Sequence, residues 1–267
     1  MGRPAAGGGS VKMAGRPLVV AHRGGAGLAP ENTLAACRRA LEMGVDGLEL
    51  DVRLSREGHP VVIHDATVDR TMEGAGRVGA LPLAALQALR ARGGDAAGVP
   101  ALHEALALAR GRARVFLDLK TNDGEPHRAI EEKVLAAVRA AGVAAAVTCI
   151  SFDLLCLRRL RELEATAHLG LLASWAFFQA HGRAALGHLL DEVRCLRAEA
   201  VGVHHELMTP EILNALRQAG LAASVWTVND APAMRRFALL GVDAITTDRP
   251  DLLQQVLAEL PAGTPGD

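Results

Sequence analysis

The sequence predicts an α/β fold, a (β/α)8 TIM barrel with an insertion after strand two. Three observations support this prediction: short apolar runs alternate with longer helix-like runs, eight such pairs fit into 267 residues, and polar residues recur where the apolar runs end. Alternation of this kind is typical of parallel α/β folds, and such a barrel needs about 250 residues. A doubly wound open sheet is the alternative, because a strand count taken from one sequence is error-prone.

The predicted strands are short apolar runs, and the predicted helices have apolar residues at a spacing of three and four. Strands are expected at residues 18–22, 47–52, 115–119, 147–152, 167–173, 200–205, 223–229 and 244–248. Helices are expected at residues 31–43, 128–140, 153–164, 209–219 and 230–240. Helix-start signals agree with these positions, in PENT before the first helix, TPE before the fourth and NDAP before the fifth.

Residues 53–81 interrupt the alternation. This interval is too long for a strand–helix loop and contains a hairpin-like pair, so we interpret it as an insertion on the upper rim of the barrel. Residues 16–260 are expected to form one TIM-barrel domain. Residues 1–15 and 261–267 are expected to be flexible tails.

Composition and charge argue against several classes of protein. The net charge is −1, with no basic stripe or polybasic cluster, which argues against binding to nucleic acid or to a membrane surface. No apolar run reaches the roughly eighteen residues of a membrane span. The N-terminal run MGRPAAGGGSVKMAGRP lacks the apolar segment of a secretion signal, and the four cysteines lack zinc-site spacing. We therefore expect a cytoplasmic protein with no stable membrane insertion.

Polar side chains gather at the ends of the predicted strands, where the active site of a TIM barrel lies. They come from strands one, two, three, seven and eight and from the insertion. They are His22, Arg23, Glu49, Asp51, His64, Asp65, Asp118, Lys120, Trp226, Asn229 and Asp248. Lysine is rare in this chain, which makes Lys120 informative.

Two carboxylates, Glu49 and Asp51, alternate with apolar residues on strand two and therefore share one face of it. A buried carboxylate without a partner is very costly, so these acids need a cation. Together with Asp118 they offer three oxygen ligands, which suit a hard ion such as Mg²⁺ or Ca²⁺. The alternative is that arginines of the barrel pair with them.

Six motifs in a fixed order extend this interpretation to nearly the whole chain. They are VVAHRGGAGLAPENT, GLELDVRLSREGHPVVIHDATVDRT, VPALHEAL, FLDLK, SVWTVND and GVDAITTDRPD, between about residues 18 and 252. In sequence and spacing they resemble the glycerophosphodiester phosphodiesterase family. The resemblance implies a TIM barrel with an insertion after strand two. It also implies hydrolysis of a glycerophosphodiester to glycerol 3-phosphate and an alcohol, with one divalent cation, Mg²⁺ or Ca²⁺.

The resemblance also implies roles for individual residues. His22 and His64 match the general acid/base pair, and Trp226 is expected to form a wall of the pocket. The phosphate-binding positions are matched by Arg23 and Lys120. The metal ligands are matched by Glu49, Asp51 and Asp118. Asp118 departs from the commoner family pattern, in which Glu occupies this place in an E-x-K motif.

Two other functions stay open at this level. One is lysophospholipase D-type hydrolysis of a lipid phosphodiester, for which the aromatic run at Trp175, Phe177 and Phe178 is the only hint. The other is a non-catalytic barrel that binds phosphorylated metabolites. The oligomeric state cannot be predicted from the sequence.

Five further polar positions receive structural interpretations. Asn32 is expected to cap the first helix and also to contact the site, and Asp248 is expected to cap the last helix. Asp65 is expected either to orient His64 or to cap the following loop. His204 and His205 are expected to lie in a solvated loop, and an approach to the barrel mouth is the alternative.

Overall fold

A computed structural model describes residues 15–94, 98–121 and 129–261. Of the expected tails, residues 1–14 and 262–267 lie outside these ranges. The strands are β1 (Leu18–Ala21), β2 (Gly47–Leu54), β3 (Pro60–Val62), β4 (Arg114–Leu119), β5 (Val147–Ser151), β6 (His168–Ala173), β7 (Ala200–His204), β8 (Ala222–Trp226) and β9 (Ala244–Thr247).

Ten α-helices accompany these strands in the described ranges. They are α1 (Leu34–Glu42), α2 (Leu83–Ala88), α3 (Leu102–Ala109), α4 (Ile130–Ala141), α5 (Leu154–Leu163), α6 (Trp175–His181), α7 (Ala185–Leu196), α8 (Pro210–Gln218), α9 (Ala231–Leu240) and α10 (Pro250–Glu259).

All strands except β3 form a closed parallel barrel. Each pairs in parallel with its neighbour, and β1 pairs with both β2 and β9, which closes the cylinder. The predicted fold class is therefore confirmed, and the open doubly wound sheet is excluded. Because all eight strands are parallel, their carboxyl ends meet at one rim of the barrel.

Strand β2 shows how the sequence pattern divides between core and site. Leu48, Leu50 and Val52 are fully buried in the main apolar core. Glu49 and Asp51 point to the opposite face, because side chains alternate along a strand. The apolar positions thus stabilise the barrel, while the two acids face its interior.

Strand β3 belongs to the insertion, where it runs antiparallel to β2 with Val62 opposite Val52. The segment between β2 and α3 extends over residues 55–101 and includes α2. It is longer than the interval 53–81 indicated by the sequence, because apolar residues on both sides of residue 81 share a second small core. This core consists of Val61, Ile63, Val68, Met72, Val78, Leu86, Ala91 and Val99.

Two predicted helix caps are wrong. Thr33, not Asn32, caps α1, because its hydroxyl accepts the backbone N–H of Ala36. Asp248 does not cap α10, whose N-cap position is Arg249 without a side-chain hydrogen bond. Both side chains are hydrogen-bonded to polar residues at the mouth of the barrel, and for Asn32 this agrees with the expected contact to the site.

No helix within the described ranges combines the length and the apolar character needed to cross a lipid bilayer.

Helix α9 allows a matched test of the core. Phe237 is fully buried, whereas Leu239, two positions later, is 51% exposed. We expect Phe237→Ala to lower the free energy of unfolding by about 3–5 kcal/mol, because it leaves a cavity. Leu239→Ala should change it by no more than about 0.5 kcal/mol. Urea unfolding of both variants measures the difference, and equal midpoints would contradict the packing described for α9.

Candidate active site

Three carboxylates meet at the mouth of the barrel. Glu49 and Asp51 come from β2 and Asp118 from β4, and the strand register places Asp51 beside Asp118. One oxygen of each lies within 4.8 Å of the others, and all three side chains are buried. The sequence prediction that these acids converge on one place therefore agrees with the geometry.

Two cationic residues contact the carboxylates. Lys120 Nζ lies 2.8 Å from Asp51 Oδ1 and also donates a hydrogen bond to Asp118 Oδ2. Arg23 donates its backbone N–H to Glu49 Oε2 at 3.0 Å, and its Nε lies 3.4 Å from Asp51 Oδ2. The alternative of ion pairing is thus present in part, through one lysine and one arginine.

Burial and like charge act on the three acids unequally. Burial, followed by the neighbouring Asp51, raises the pKa of Glu49 to about 7. Burial raises the pKa of Asp118 to about 6, although Lys120 opposes the change. Burial also opposes ionisation of Asp51, but the charges of Lys120 and Arg23 bring its pKa below the usual value. Of the three acids, Asp51 is therefore the one most strongly held in its ionised form.

The cluster has the properties of a site for a hard divalent cation. Asp118 Oδ1 is buried and has no hydrogen-bond partner among the described residues. Among the described residues, two permanent cations, Lys120 and Arg23, make ion-pair contacts with the three-carboxylate cluster. Carboxylate oxygens are the ligands that Mg²⁺ and Ca²⁺ prefer. A further positive charge would keep Glu49 and Asp118 ionised, so the residues present fit a metal ion.

His22 follows β1 and is held by a carboxylate. Its Nδ1 lies 2.6 Å from Asp248 Oδ1, while its Nε2 lies 3.9 Å from Glu49 Oε2. Asp248 is fixed in turn by Asn229 Nδ2, at 2.6 Å from its Oδ2. Burial lowers the pKa of His22, but the hydrogen bond to Asp248 and the charge of Glu49 bring it above its ordinary value.

His64 follows β3 and has a carboxylate partner of its own. Its Nδ1 lies 2.7 Å from Asp65 Oδ1, so of the two roles considered for Asp65 the structure shows the orienting one. Burial lowers the pKa of His64, and the nearby Asp51 and Asp65 only partly offset this. In both pairs the carboxylate accepts the Nδ1 hydrogen, which leaves Nε2 as the nitrogen that can meet a substrate.

The loop between β1 and α1 is shaped to bring its polar groups to the carboxylates. Arg23 and Asn32 both adopt left-handed backbone angles, with φ of 51° and 57°, and Asn32 N–H donates to Arg23 O at 2.8 Å. Asn32 Nδ2 then donates to Asp51 Oδ2 at 2.8 Å. A left-handed non-glycine residue costs about 1 kcal/mol or more and is typical of functional loops.

The opposite half of the mouth is aromatic. Phe152 and Trp226 meet edge to face with centroids 5.3 Å apart, and Trp226 meets the His204 ring at 5.2 Å. Lys120 Nζ lies 5.9 Å from the Phe152 centroid, so this row of rings begins beside the carboxylates. Trp175 continues it at 6.5 Å from His204.

The aromatic half corrects one prediction and refines another. His204 ends β7 and packs against Trp226, so it does not lie in a solvated loop. His205 stacks on His204 at 4.9 Å. Phe177 and Phe178 pack against the main core, whereas Trp175 from the same aromatic run is 46% exposed.

Two residues of the site, Glu31 and Arg70, were not singled out from the sequence, and a third, Asn229, was noted without a role. Glu31 accepts hydrogen bonds from Arg23 and Arg70, and Asn229 holds Asp248. Asn229 was noted at its strand end without a role, and Glu31 lies within the quoted PENT motif. Arg70 lies in a long insertion whose internal contacts no periodicity predicts.

Comparison with known proteins agrees with this geometry. A model of the glycerophosphoryl diester phosphodiesterase family matches residues 22–252. The chain belongs to this family. The expected enzyme class is thereby confirmed.

Relatives within the family cover almost the whole chain. A glycerophosphodiester phosphodiesterase of Caldanaerobacter subterraneus subsp. tengcongensis is 35% identical over 246 residues, which are 89% of this chain and 96% of the relative. The crystal structure of a glycerophosphodiester phosphodiesterase from Agrobacterium tumefaciens is 32% identical, with a TM-score of 0.76, and the match covers 90% and 99% of the two chains. The structure of an Oleispira antarctica phosphodiesterase, in complex with the product sn-glycerol-3-phosphate, is 26% identical, with a TM-score of 0.77 and coverage of 91% and 98%.

The carboxylate cluster can be tested through metal binding alone. Glu49→Gln keeps an acceptor for the Arg23 N–H but removes one buried charge. We expect the metal-free variant to unfold at the same or a higher temperature, since burial disfavours the carboxylate. Its affinity for Mg²⁺ or Ca²⁺ should fall at least about tenfold, the loss typical even for outer partners of a metal site.

Titration calorimetry and thermal unfolding provide the two measurements. Glu162→Gln on α5, where the side chain is 67% exposed, is the matched control and should change neither quantity. Unchanged metal affinity in Glu49→Gln would remove this residue from the ligand set.

Proposed function

We propose that this protein hydrolyses glycerophosphodiesters to glycerol 3-phosphate and an alcohol, with one divalent cation, Mg²⁺ or Ca²⁺, held by Glu49, Asp51 and Asp118. One observation carries the proposal: the three-carboxylate cluster shares the barrel mouth with two cationic side chains and two imidazoles held by carboxylates. Membership of the family and the product complex of the Oleispira antarctica relative support the choice of substrate.

The charged residues suit a phosphodiester anion. When bound, the cation would act as a Lewis acid toward a phosphoryl oxygen. Lys120 carries three N–H donors, of which two contacts go to Asp51 and Asp118, so a third can bind a phosphate oxygen. The Arg23 guanidinium is 18% exposed at the same mouth and can bind a second one.

The two histidines can divide the proton transfers. Hydrolysis requires removal of a proton from the attacking hydroxyl or water and donation of one to the leaving alkoxide. His22 and His64 each have Nδ1 fixed by a carboxylate, so Nε2 exchanges the proton in both. The attacking group is either water or a glycerol hydroxyl of the substrate itself, which would form a cyclic phosphate first. Trp226, with the Phe152 ring, would wall the pocket beside Lys120.

The second candidate is hydrolysis of a lysophospholipid at the bond between the phosphate and the headgroup alcohol. One observation favours it. Phe152, Leu155 and Trp175 are 39%, 65% and 46% exposed, and all three follow β5 or β6 at the rim. Exposed apolar residues grouped beside a site are typical of contact with an apolar ligand.

The decisive experiment measures glycerol 3-phosphate released from glycerophosphocholine, with lysophosphatidylcholine assayed in parallel by choline release. We expect turnover of glycerophosphocholine with Mg²⁺ or Ca²⁺, loss of turnover in EDTA, and recovery when the ion is restored, because three buried carboxylates require the cation. Turnover of lysophosphatidylcholine alone would favour the second candidate. Turnover of neither substrate would favour a non-catalytic phosphometabolite-binding barrel, and full activity in EDTA would contradict the metal assignment.

The histidine pair gives a separate prediction. We expect His22→Ala and His64→Ala each to lower kcat about a hundredfold or more, the range typical of acid/base groups. Steady-state kinetics measures this, with thermal unfolding as the check that the fold persists. His103→Ala on α3, where the side chain is exposed, is the control and should retain full turnover. Near-normal turnover in either variant would exclude that histidine from proton transfer.

A further inference from the structure

Arg70 lies outside the carboxylate cluster, in the insertion, yet it contacts two acids that belong to the site. Its Nε and Nη2 donate to the two oxygens of Asp65 at 2.6 and 3.0 Å. Its Nη1 and Nη2 donate to the two oxygens of Glu31 at 2.8 Å each. All three nitrogens of one guanidinium are therefore used, in two bidentate pairs.

Each of these carboxylates holds a residue of the proposed chemistry. Asp65 holds Nδ1 of His64, and Glu31 accepts a hydrogen bond from Arg23 Nη1 at 2.9 Å. Arg70 thus links an imidazole on the insertion to a guanidinium on the loop after β1. These two segments are separate along the chain, and Arg70 joins their acids.

We propose that Arg70 is a positioning residue that fixes His64 through Asp65 and Arg23 through Glu31, so that both side chains face one substrate in a single geometry. The proposal rests on the function proposed above. A planar guanidinium suits this task because its donors lie in a rigid fork that matches two carboxylates, whereas an ammonium supplies only a point charge.

The charges around Arg70 explain why its removal would affect both His64 and Arg23. Glu31 and Asp65 are like charges bound to one cation, Arg70. Glu31 also contacts Arg23, and Asp65 also contacts His64. Without Arg70, Asp65 could rotate away from His64, and Glu31 could draw Arg23 away from Asp51. A displacement of about 1 Å at a reacting group costs up to about a hundredfold in rate.

The alternative is that the contacts of Arg70 are ordinary surface ion pairs without a role in positioning. The chain contains an ion pair of similar exposure for comparison. Arg158 on α5 binds both oxygens of Glu192 on α7 at 2.9 and 2.7 Å. The side chains of Arg70 and Arg158 are both 48% exposed. Exposed pairs of this kind contribute about 0–1 kcal/mol to stability, so neither removal should unfold the protein.

The first test compares Arg70→Gln, Arg70→Lys and Arg158→Gln in the glycerophosphocholine assay with saturating metal. We expect Arg70→Gln to lower kcat/KM about tenfold to a hundredfold. Arg70→Lys should recover only part of the loss, because the fork is absent. Arg158→Gln should stay within about twofold of the wild type. Equal activity of Arg70→Gln and Arg158→Gln would overturn the proposal.

The second test asks whether Arg70 acts through its two acids. In a background that carries both Glu31→Gln and Asp65→Asn, Arg70→Gln should cost less than about twofold, because coupled residues are non-additive. The same loss in both backgrounds would show that Arg70 does not act through these two acids, and that result would also overturn the proposal.

A third measurement needs no turnover, so it separates this inference from the proposed function. In a crystal structure of Arg70→Gln we expect His64 or Arg23 to leave the positions they hold beside Asp65 and Asp51. If the wild type hydrolyses no phosphodiester, the proposed function fails, whereas displacement of these side chains still supports the positioning role. If both side chains stay in place, Arg70 does not position them.

Discussion

The burial of three carboxylates within 4.8 Å of one another is the constraint on which the rest of the site depends. Such a cluster is unfavourable unless cations and hydrogen-bond donors surround it. Lys120, the Arg23 backbone and Asn32 supply these, and each comes from a strand end or from the loop after β1. Arg23 and Asn32 in that loop have left-handed backbone angles, which turn the polar groups of the loop toward the acids.

Each of the two imidazoles is likewise held by a carboxylate, and the two pairs come from different parts of the chain. His22 pairs with Asp248, which follows β9, and His64 pairs with Asp65 in the insertion. The barrel thus joins its first and last strands at His22, and the insertion brings in the second imidazole. Closure of the sheet between β1 and β9 is therefore a requirement of the site as well as of the core.

The sequence predicted what periodicity and strand order control, and missed what loop conformation controls. Alternation on β2 placed Glu49 and Asp51 on one face, and the parallel order placed Asp118 beside them. Asn32 and Asp248 were assigned to helix caps, with a contact to the site expected in addition only for Asn32, because cap statistics describe a residue by its neighbours in sequence. Their actual partners, Asp51 and His22, are 19 and 226 positions away, a pairing that only the closed barrel creates.

Asp118 shows that the three-carboxylate cluster can include a shorter acid. The resemblance drawn from the sequence implies Glu at this place, and Asp118 reaches the cluster because it lies in register with Asp51 on the neighbouring strand. Lys120, two residues later on the same face, contacts both Asp51 and Asp118 and so ties the two strands together at the mouth. Asp118 Oδ1, which has no hydrogen-bond partner among the described residues, is free to contact a metal ion. The shorter acid is thus compatible with the same three-carboxylate arrangement, because strand register rather than side-chain length brings it to the others.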